Sequence, residues 1–330
     1  MKKVLVTGGA GYIGSHTVVS LKDKGFYPVI VDDLRSSSSF ILEGLSTMLK
    51  DGYAFHCEDV CNVDSMTKIF REHRFDAVIH FAAYKSVGES CEEPLKYYQN
   101  NLQGLTNILR LCEEFGVPKF VFSSSCTVYG EPEDKQVYEH TPKRLPESPY
   151  GFTKWMGEQI IEDVHRNVVP FQTLCLRYFN PIGAHESALI GELPLGPPAN
   201  LIPFLTQSVA GLRGPLQVWG TDYPTSDGTA IRDYIHVVDL AKAHVKALAY
   251  LIDGKSNVKY DFFNIGTGQG SSVMEVILAF ERATGKKVPY EIVGRRAGDP
   301  AECYADASRI SNGRARHSRK DQACHNIDMA

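Results

Sequence analysis

Apolar residues in the first half of the chain come in short bursts, separated by longer amphipathic stretches. Val4-Leu5-Val6, Tyr27 to Val31, Tyr53 to His56, Asp76 to Ala83, Phe120-Val121-Phe122 and Phe171 to Arg177 are bursts of strand length. Several are apolar throughout, as expected of strands covered on both faces. Between them, Ser15 to Lys24, Ser65 to His73, Leu95 to Phe115 and Pro149 to His165 read as helices. In the third of these, Leu102, Leu105, Ile108, Leu109 and Cys112 recur at helical spacing. Strand and helix alternating with one polarity predict an α/β fold, a doubly wound parallel sheet. Ser36 to Ser39 reads as a polar, flexible stretch closing the first unit.

From about Ile182 the alternation fails. Gly and Pro cluster at 191–198 and 211–215, typical of a portion built on loops that bind substrate. Regular pattern returns in Arg232 to Asp239, in the helix Leu240 to Leu251, and in Phe262 to Gly266. The predicted organisation is a dinucleotide-binding domain of residues 1–180 with 237–262, and a smaller α/β substrate-binding domain of residues 181–236 with 263–310. Residues 311–330 are polar and basic in their first half, without apolar periodicity, and are expected to be poorly ordered.

Chemistry concentrates at the strand ends. Thr7-Gly8-Gly9-Ala10-Gly11-Tyr12-Ile13-Gly14 follows the first strand and opens the first helix. A helix N-terminus offers free N–H groups and partial positive charge to a phosphate. Glycines there let a pyrophosphate approach the backbone and let the helix pack on the strand. The spacing is Gly-x-x-Gly-x-x-Gly, so Gly8, Gly11 and Gly14 are the turn glycines. Asp32 ends the second strand, where a carboxylate accepts from ribose hydroxyls and repels a 2′-phosphate, which favours NAD over NADP. Arg35 is the nearby cation that argues the other way. Asp59 reads equally as an adenine contact or a loop carboxylate, and Ala82 and Ala83 are small enough to let a cofactor pass a strand end.

Further along, Phe120-Val121-Phe122 runs into Ser123-Ser124-Ser125, placing serines beyond the carboxyl end of a strand, where open α/β sheets bind ligands. Tyr150 and Lys154 are four apart and share a helical face. A phenol of pKa near 10 is a poor base at neutral pH. A neighbouring ammonium and the positive ring of an oxidised nicotinamide are expected to lower it. Tyr150 could then take a proton from a substrate hydroxyl while hydride leaves the same carbon, with Ser125 relaying or orienting that proton.

Bulk properties narrow the partners. The 330 residues carry a formal net charge of −4 and 22% charged residues, which gives no reason to expect nucleic acid or an anionic membrane. No apolar run is long enough to cross a bilayer, and the N-terminus enters a strand without a signal-peptide succession, so a cytoplasmic protein is expected. Cys57, Cys61, Cys91, Cys112, Cys126, Cys175, Cys303 and Cys324 are scattered, with no Cys-x-x-Cys pair and no Cys/His metal spacing. They read as reduced thiols, and no metal is expected.

These residues resemble the UDP-hexose 4-epimerases of the extended short-chain dehydrogenase/reductase family over residues 1 to about 310. The stretches that carry the likeness are Thr7 to His16, His80 to Ser90, Ser123 to Gly130, Arg177 to Pro181, Asp222 to Thr225 and Arg232 to Val237. The resemblance implies a Rossmann-type fold, tightly held NAD, and reversible C4 epimerisation of UDP-galactose and UDP-glucose through a 4-keto sugar. It implies cofactor contacts at Tyr12, Ile13, Asp32, Asp33, Asp59, Val60, Phe81, Ala82, Ala83, Lys85, Asn100, Ser125, Tyr150, Lys154 and Phe179. It implies substrate contacts at Lys85, Ser125, Tyr150, Asn180, Asn200, Leu201, Gln217, Val218, Trp219, Arg232, Arg296, Asp299 and Cys303. The two arginines suit a diphosphate because guanidinium forks match phosphate oxygens. Cys303 stands where some members have Tyr, and a small residue there leaves room for an N-acetyl group at C2 of UDP-N-acetylglucosamine or UDP-N-acetylgalactosamine. Members are often homodimers, pairing helices near 95–115 and 150–165. Two other readings are a nucleotide-sugar dehydratase of the same fold and a non-catalytic NAD-sensing regulator. The first lacks its acid–base carboxylates, since nothing acidic follows Cys126-Thr127 before Glu131; the second has no need of Ser125, Tyr150 and Lys154 together.

Overall fold

The computed structural model describes residues 1–166, 171–295 and 300–311, the last two of them by backbone alone. The chain runs β1 (Lys3–Thr7), α1 (Tyr12–Asp23), β2 (Tyr27–Val31), α2 (Ser39–Leu49), β3 (Ala54–His56), α3 (Val63–His73), β4 (Ala77–His80) and α4 (Val87–Glu92). It continues with α5 (Pro94–Glu114), β5 (Lys119–Ser125), β6 (Gln136–Val137), α6 (Pro149–Arg166), β7 (Gln172–Tyr178), β8 (Asn180–Ile182), α7 (Leu201–Val209) and β9 (Leu216–Trp219). The remainder is β10 (Ile231–His236), α8 (Val237–Ile252), β11 (Tyr260–Ile265), β12 (Gly270–Ser272), α9 (Val273–Thr284), β13 (Tyr290–Val293), β14 (Glu302–Ala305) and α10 (Ser308–Ser311).

Seven strands form one sheet in the order β11-β7-β5-β4-β1-β2-β3, every neighbouring pair parallel. Alternate residues on each strand face opposite layers. Val4, Val6, Ile30, Ile79, Val121 and Leu176 join a core with Val18, Leu21, Ile41, Leu45, Leu240 and Leu248 of α1, α2 and α8. Leu5, Val29, Val31, Val78, Phe120, Phe122 and Cys175 join the other core with Met66, Ile69, Leu105, Ile108 and Ile161 of α3, α5 and α6. The period-2 pattern therefore buries both faces, and the doubly wound expectation holds. The order reverses between β1 and β4, and a crevice opens beyond their ends.

Three local readings change. Ser38 accepts from the Phe40 N–H at 3.3 Å and caps α2, so the serine run starts a helix whose Ile41 and Leu45 pack in the core. The burst from Asp76 ends as a strand at His80, and Phe81 to Ala83 leave the sheet to line the crevice. Strand β11 stays paired to β7 through Ile265, so residues 263–265 lie in the large sheet beside the segment ending at 262.

A mixed sheet in the order β12-β10-β14-β6, with β8 also on β10, stands beyond β7 and β11, and β9 pairs with β13. Asp233 ties this region together. Its buried carboxylate accepts from the Thr267, Gly268 and Ala305 N–H groups at 2.9, 3.1 and 3.1 Å, joining β10, the β11–β12 turn and β14. Residues after 311, including the tail expected to be poorly ordered, lie outside the described residues.

Candidate active site

A cavity of about 850 Å³ opens over the switch point, within the usual size range of cofactor sites. Gly8, Gly11, Tyr12, Ile13 and Gly14 form its floor, Asp32, Asp33, Val60 and Asn100 one end, and Phe81, Ala82, Ala83, Lys85, Tyr150 and Lys154 the other. Space in the turn is limiting. A Cβ on Gly14 would stand 2.2 Å from the Gly8 carbonyl oxygen, and one on Gly8, where φ is +69°, would stand 2.7 Å from the Ala82 nitrogen. Gly11 begins α1 with no side-chain cap, so the helix N–H groups are left for a ligand.

Asp32 is buried at the end of β2. It accepts from the Ala10 N–H at 3.0 Å and the Leu34 N–H at 2.9 Å. Burial raises its pKa, against those two hydrogen bonds. Arg35, the cation that argued for NADP, is held by Asp33 at 2.8 Å and by Asp59. Its charge is answered before any phosphate arrives. The glycine cradle, the carboxylate at β2 and the cavity's reach to Tyr150 fit an extended dinucleotide with its adenosine end at Asp32.

At the other end, Tyr150 and Lys154 stand on the first turns of α6, both nearly fully buried. The Lys154 ammonium donates to the Ser123 carbonyl at 2.8 Å and lies 5.2 Å from the centre of the Phe122 ring. Burial brings its pKa down to about 8. The Tyr150 phenol is pushed up by burial and by Tyr178, with Ser125 hydrogen bonding pulling the other way. The expected lowering by Lys154 is therefore absent in the protein alone. Desolvation outweighs it, and the ammonium is turned to a carbonyl. Ser125 ends β5 with its Oγ accepting from the Thr127 N–H at 3.2 Å.

Several residues that shape the site were not singled out from sequence. Tyr178 lines the cavity beside Tyr150 and shares a 2.6 Å hydrogen bond with Ser123. Asn101 receives the Tyr84 N–H at 2.9 Å and donates to the Tyr84 carbonyl and to Thr153 Oγ1, both at 3.0 Å, so it anchors the loop after β4 to α6. Glu192 accepts from Lys85 at 2.9 Å and from Asn200 at 2.7 Å, strapping the 191–200 segment across the cavity mouth. Tyr178 stood in the Arg177 to Pro181 stretch with no role assigned to it, and Asn101 and Glu192 had no local motif. Each works through partners 17 or more residues away, apart from the Glu192–Asn200 pair.

The remaining expected contacts are spread beyond the cavity wall. Phe179 and Cys303 are buried together with Tyr129, Val137 and Ala305, with Cys126 packed against them. Arg232 pairs across the sheet with Cys303; burial raises the pKa of the Cys126 and Cys303 thiols, and the Arg232 charge pulls the other way. Asn180 begins β8 and pairs with Tyr234. On β9, Gln217 and Trp219 point outward, whereas the Val218 side chain is buried in a small core with Leu205, Leu216, Ile277 and Val288, against which Leu201 packs. Val218 can meet a ligand through its backbone only. Asp59 lies beside the adenosine end, paired to Arg35. Arg296 and Asp299 lie outside the described residues.

The sequence model of the NAD dependent epimerase/dehydratase family matches residues 4–266. The chain is 48% identical to UDP-glucose 4-epimerase 2 of Arabidopsis thaliana over 311 residues, covering 93% of this chain and 88% of that protein. Among solved structures, a UDP-glucose-4-epimerase from Stenotrophomonas maltophila with bound NAD and formylated UDP-arabinopyranose superposes with a TM-score of 0.90 at 47% identity, covering 96% of this chain and 94% of that one. A UDP-glucose 4-epimerase from Bifidobacterium longum in complex with NAD+ and UDP gives a TM-score of 0.89 at 45% identity, covering 94% and 92%.

Proposed function

The chain belongs to the NAD dependent epimerase/dehydratase family, and from that premise we infer that it interconverts UDP-galactose and UDP-glucose by inverting C4 of the hexose. The observation that carries the reading is the meeting of a dinucleotide cradle with Tyr150, Lys154 and Ser125 in one region of the fold. Gly8, Gly11, Gly14 and Asp32 hold the pyrophosphate and ribose of NAD, with Asp33, Asp59, Val60 and Asn100 around its adenosine half. NAD held there would supply a reversible hydride acceptor for C4, so that the sugar would pass through the 4-keto level without net oxidation. Tyr150 takes the proton of the C4 hydroxyl and gives it back, and Ser125 orients that hydroxyl. Lys154, its ammonium held by the Ser123 carbonyl, lines the same cavity one helical turn after Tyr150. Asn180, Asn200, Arg232, Arg296 and Asp299 hold the nucleotide diphosphate and sugar.

Incubation with UDP-galactose tests the reading. Formation of UDP-glucose supports it. A 4-keto-6-deoxy product would favour a dehydratase, and no product with NAD retained would favour a sensor. The segment after Thr127 supplies no carboxylate before Glu131, which argues against dehydration. Cys303 is small, and the acetylated pair UDP-N-acetylglucosamine and UDP-N-acetylgalactosamine are substrates in this reading.

The protein works as a cytoplasmic homodimer through α5 and α6, with no nucleic acid or membrane partner. Partly exposed apolar side chains at Leu102, Phe152 and Met156 support that pairing; light scattering of the eluted protein tests it. Among the described residues no helix is long and apolar enough to cross a membrane. The working division is a cofactor domain of 1–180 with 237–262 and a sugar-nucleotide domain of 181–236 with 263–310, the short run to Ile265 completing β11 of the large sheet.

A further inference from the structure

Outside the cavity lining, the edge strand β3 and the end of α3 bring together three side chains with ligand chemistry. His56 is the last residue of β3, and Glu72 and His73 are the last two of the helix. The Nε2 atoms of His56 and His73 are 2.7 Å apart, and Glu72 Oε1 is 3.6 Å from His73 Nε2. One ligand atom from each residue can be chosen so that all lie within 4.8 Å of one another. None of the three lines the cofactor cavity.

We propose that His56, Glu72 and His73 form a binding site for a zinc-like divalent cation. Two imidazoles and one carboxylate are a donor set that suits Zn²⁺, which takes nitrogen and oxygen ligands at about 2.0–2.2 Å and leaves a fourth position for water. Both imidazoles are already aimed. The His56 carbonyl accepts the Asp32 N–H at 3.2 Å, which pins the strand end. The His73 ring stacks on Phe75 with centroids 5.7 Å apart and planes 25° from parallel. Ring nitrogens in direct contact share one proton between two lone pairs; a cation replaces that single hydrogen bond with two metal–nitrogen bonds. Tetrahedral ligands at these bond lengths stand about 3.3 Å apart, so the rings need separate by less than an ångström. Glu72 is 63% exposed and can swing inward. Lys3 lies close enough to act on His73 by charge, which works against a cation there. The ligands are 16 and 17 positions apart, which is why short-spacing patterns pointed to no metal.

The site is tested by titrating the chelator-treated full-length chain with Co²⁺, read by its visible ligand-field band, then displacing it with Zn²⁺. One equivalent is expected to bind, and Zn²⁺ should raise the melting temperature by mass action. His56→Ala should remove that equivalent and the shift, and Glu72→Gln should weaken binding at least ~10-fold. His73→Gln should likewise abolish the bound equivalent. Equal stoichiometry and melting shift in His56→Ala and the parent, as binding at exposed thiols such as Cys57 and Cys91 would give, overturns the proposal. So does the absence of binding at tens of micromolar metal.

Discussion

Arg177 grips Glu158 with two hydrogen bonds in the core behind the candidate site, Nε to Oε1 at 2.8 Å and Nη2 to Oε2 at 2.6 Å. Both side chains are essentially inaccessible to water. Ser124 donates to the same carboxylate at 2.6 Å, and the guanidinium also reaches Tyr129 at 3.0 Å. Glu158 lies one helical turn beyond Lys154, and Ser124 precedes Ser125, so the cluster positions both sides of the chemistry. Glu158→Ala leaves a buried guanidinium unanswered and should cost about 3–5 kcal/mol. Glu158→Gln keeps one acceptor and should cost less. Urea unfolding of the two variants measures this; equal stability to the parent would contradict it.

Gly14→Ala should empty the cofactor site without unfolding the chain. Its Cβ would strike the Gly8 carbonyl at 2.2 Å and the Gly9 Cα at 2.8 Å, distances that force the turn and helix apart. The parent is expected to purify with NAD and the variant without it, read from the nucleotide released on denaturation. A variant that still holds a full equivalent of NAD would show that the turn relaxes more easily than its geometry suggests.

What could be read from sequence was local. Gly8 to Gly14, Asp32 and the Tyr150–Lys154 pair each declare themselves within a few residues, and the fold brings all of them to the cavity. The long-range parts were silent. Glu192 has meaning only because Lys85 and Asn200 come to it, and Asn101 only because Tyr84 and Thr153 do. One missed element did carry a signal: Ser272 and Glu275 form a capping box at the start of α9, a pattern visible as Ser-x-x-Glu before an apolar run. Tyr150 shows the opposite case. Its role was read from residue type, but the direction of its pKa needed burial, which the sequence does not display.

Lys154→Met should trade activity for stability. In the NAD-free chain, burial lowers the folded pKa of Lys154 to about 8 from an ordinary 10.5. The unfolded chain therefore holds its proton more tightly, and the buried ammonium costs stability at pH 7, a cost that fades as pH rises from 8 toward 10.5. Methionine removes that cost and loses the Ser123 hydrogen bond, a net gain of about 2 kcal/mol. Epimerisation should fall at least ~100-fold, as for Tyr150→Phe. A Lys154→Met protein less stable than the parent at pH 7 would contradict this balance.

Acid should destabilise the fold from about pH 6.5 downward. Burial lowers the pKa of His16 and His244 to about 4 and of His80 to about 3. Unfolded, these imidazoles protonate near 6.5; folded, they stay neutral. The unfolded state binds more protons in that window, so stability falls with pH by up to about 4 kcal/mol per unit. Asp32 and Glu139, whose pKa values burial raises, oppose this, so the informative quantity is a difference. His244 is buried against Phe81, with ring centroids 4.7 Å apart. His244→Phe should flatten the slope by about 1.4 kcal/mol per pH unit. Unchanged urea midpoints between pH 7 and 5 in the parent would rule the effect out.

Cys303 gives the last prediction its geometry. It is 8% exposed on β14, opposite Arg232 of β10, and its neighbours in the core are Tyr129, Phe179 and Cys126, the residue after Ser125. In the proposed function the sugar lies against this side chain, which packs beside Cys126 and Phe179 outside the cavity wall. On the proposed function, a thiol at 303 leaves room for an N-acetyl group, and a phenol ring fills that volume. The parent should therefore turn over both substrate pairs. Cys303→Tyr should keep the UDP-glucose pair and lose kcat/KM on the acetylated pair by ~100-fold, the scale on which a filled pocket rejects added bulk. Because overpacking can itself cost about 1–3 kcal/mol, the comparison is the ratio of the two activities in one preparation, with Cys303→Ala as the control that preserves both. A parent inactive on the acetylated pair would overturn the prediction.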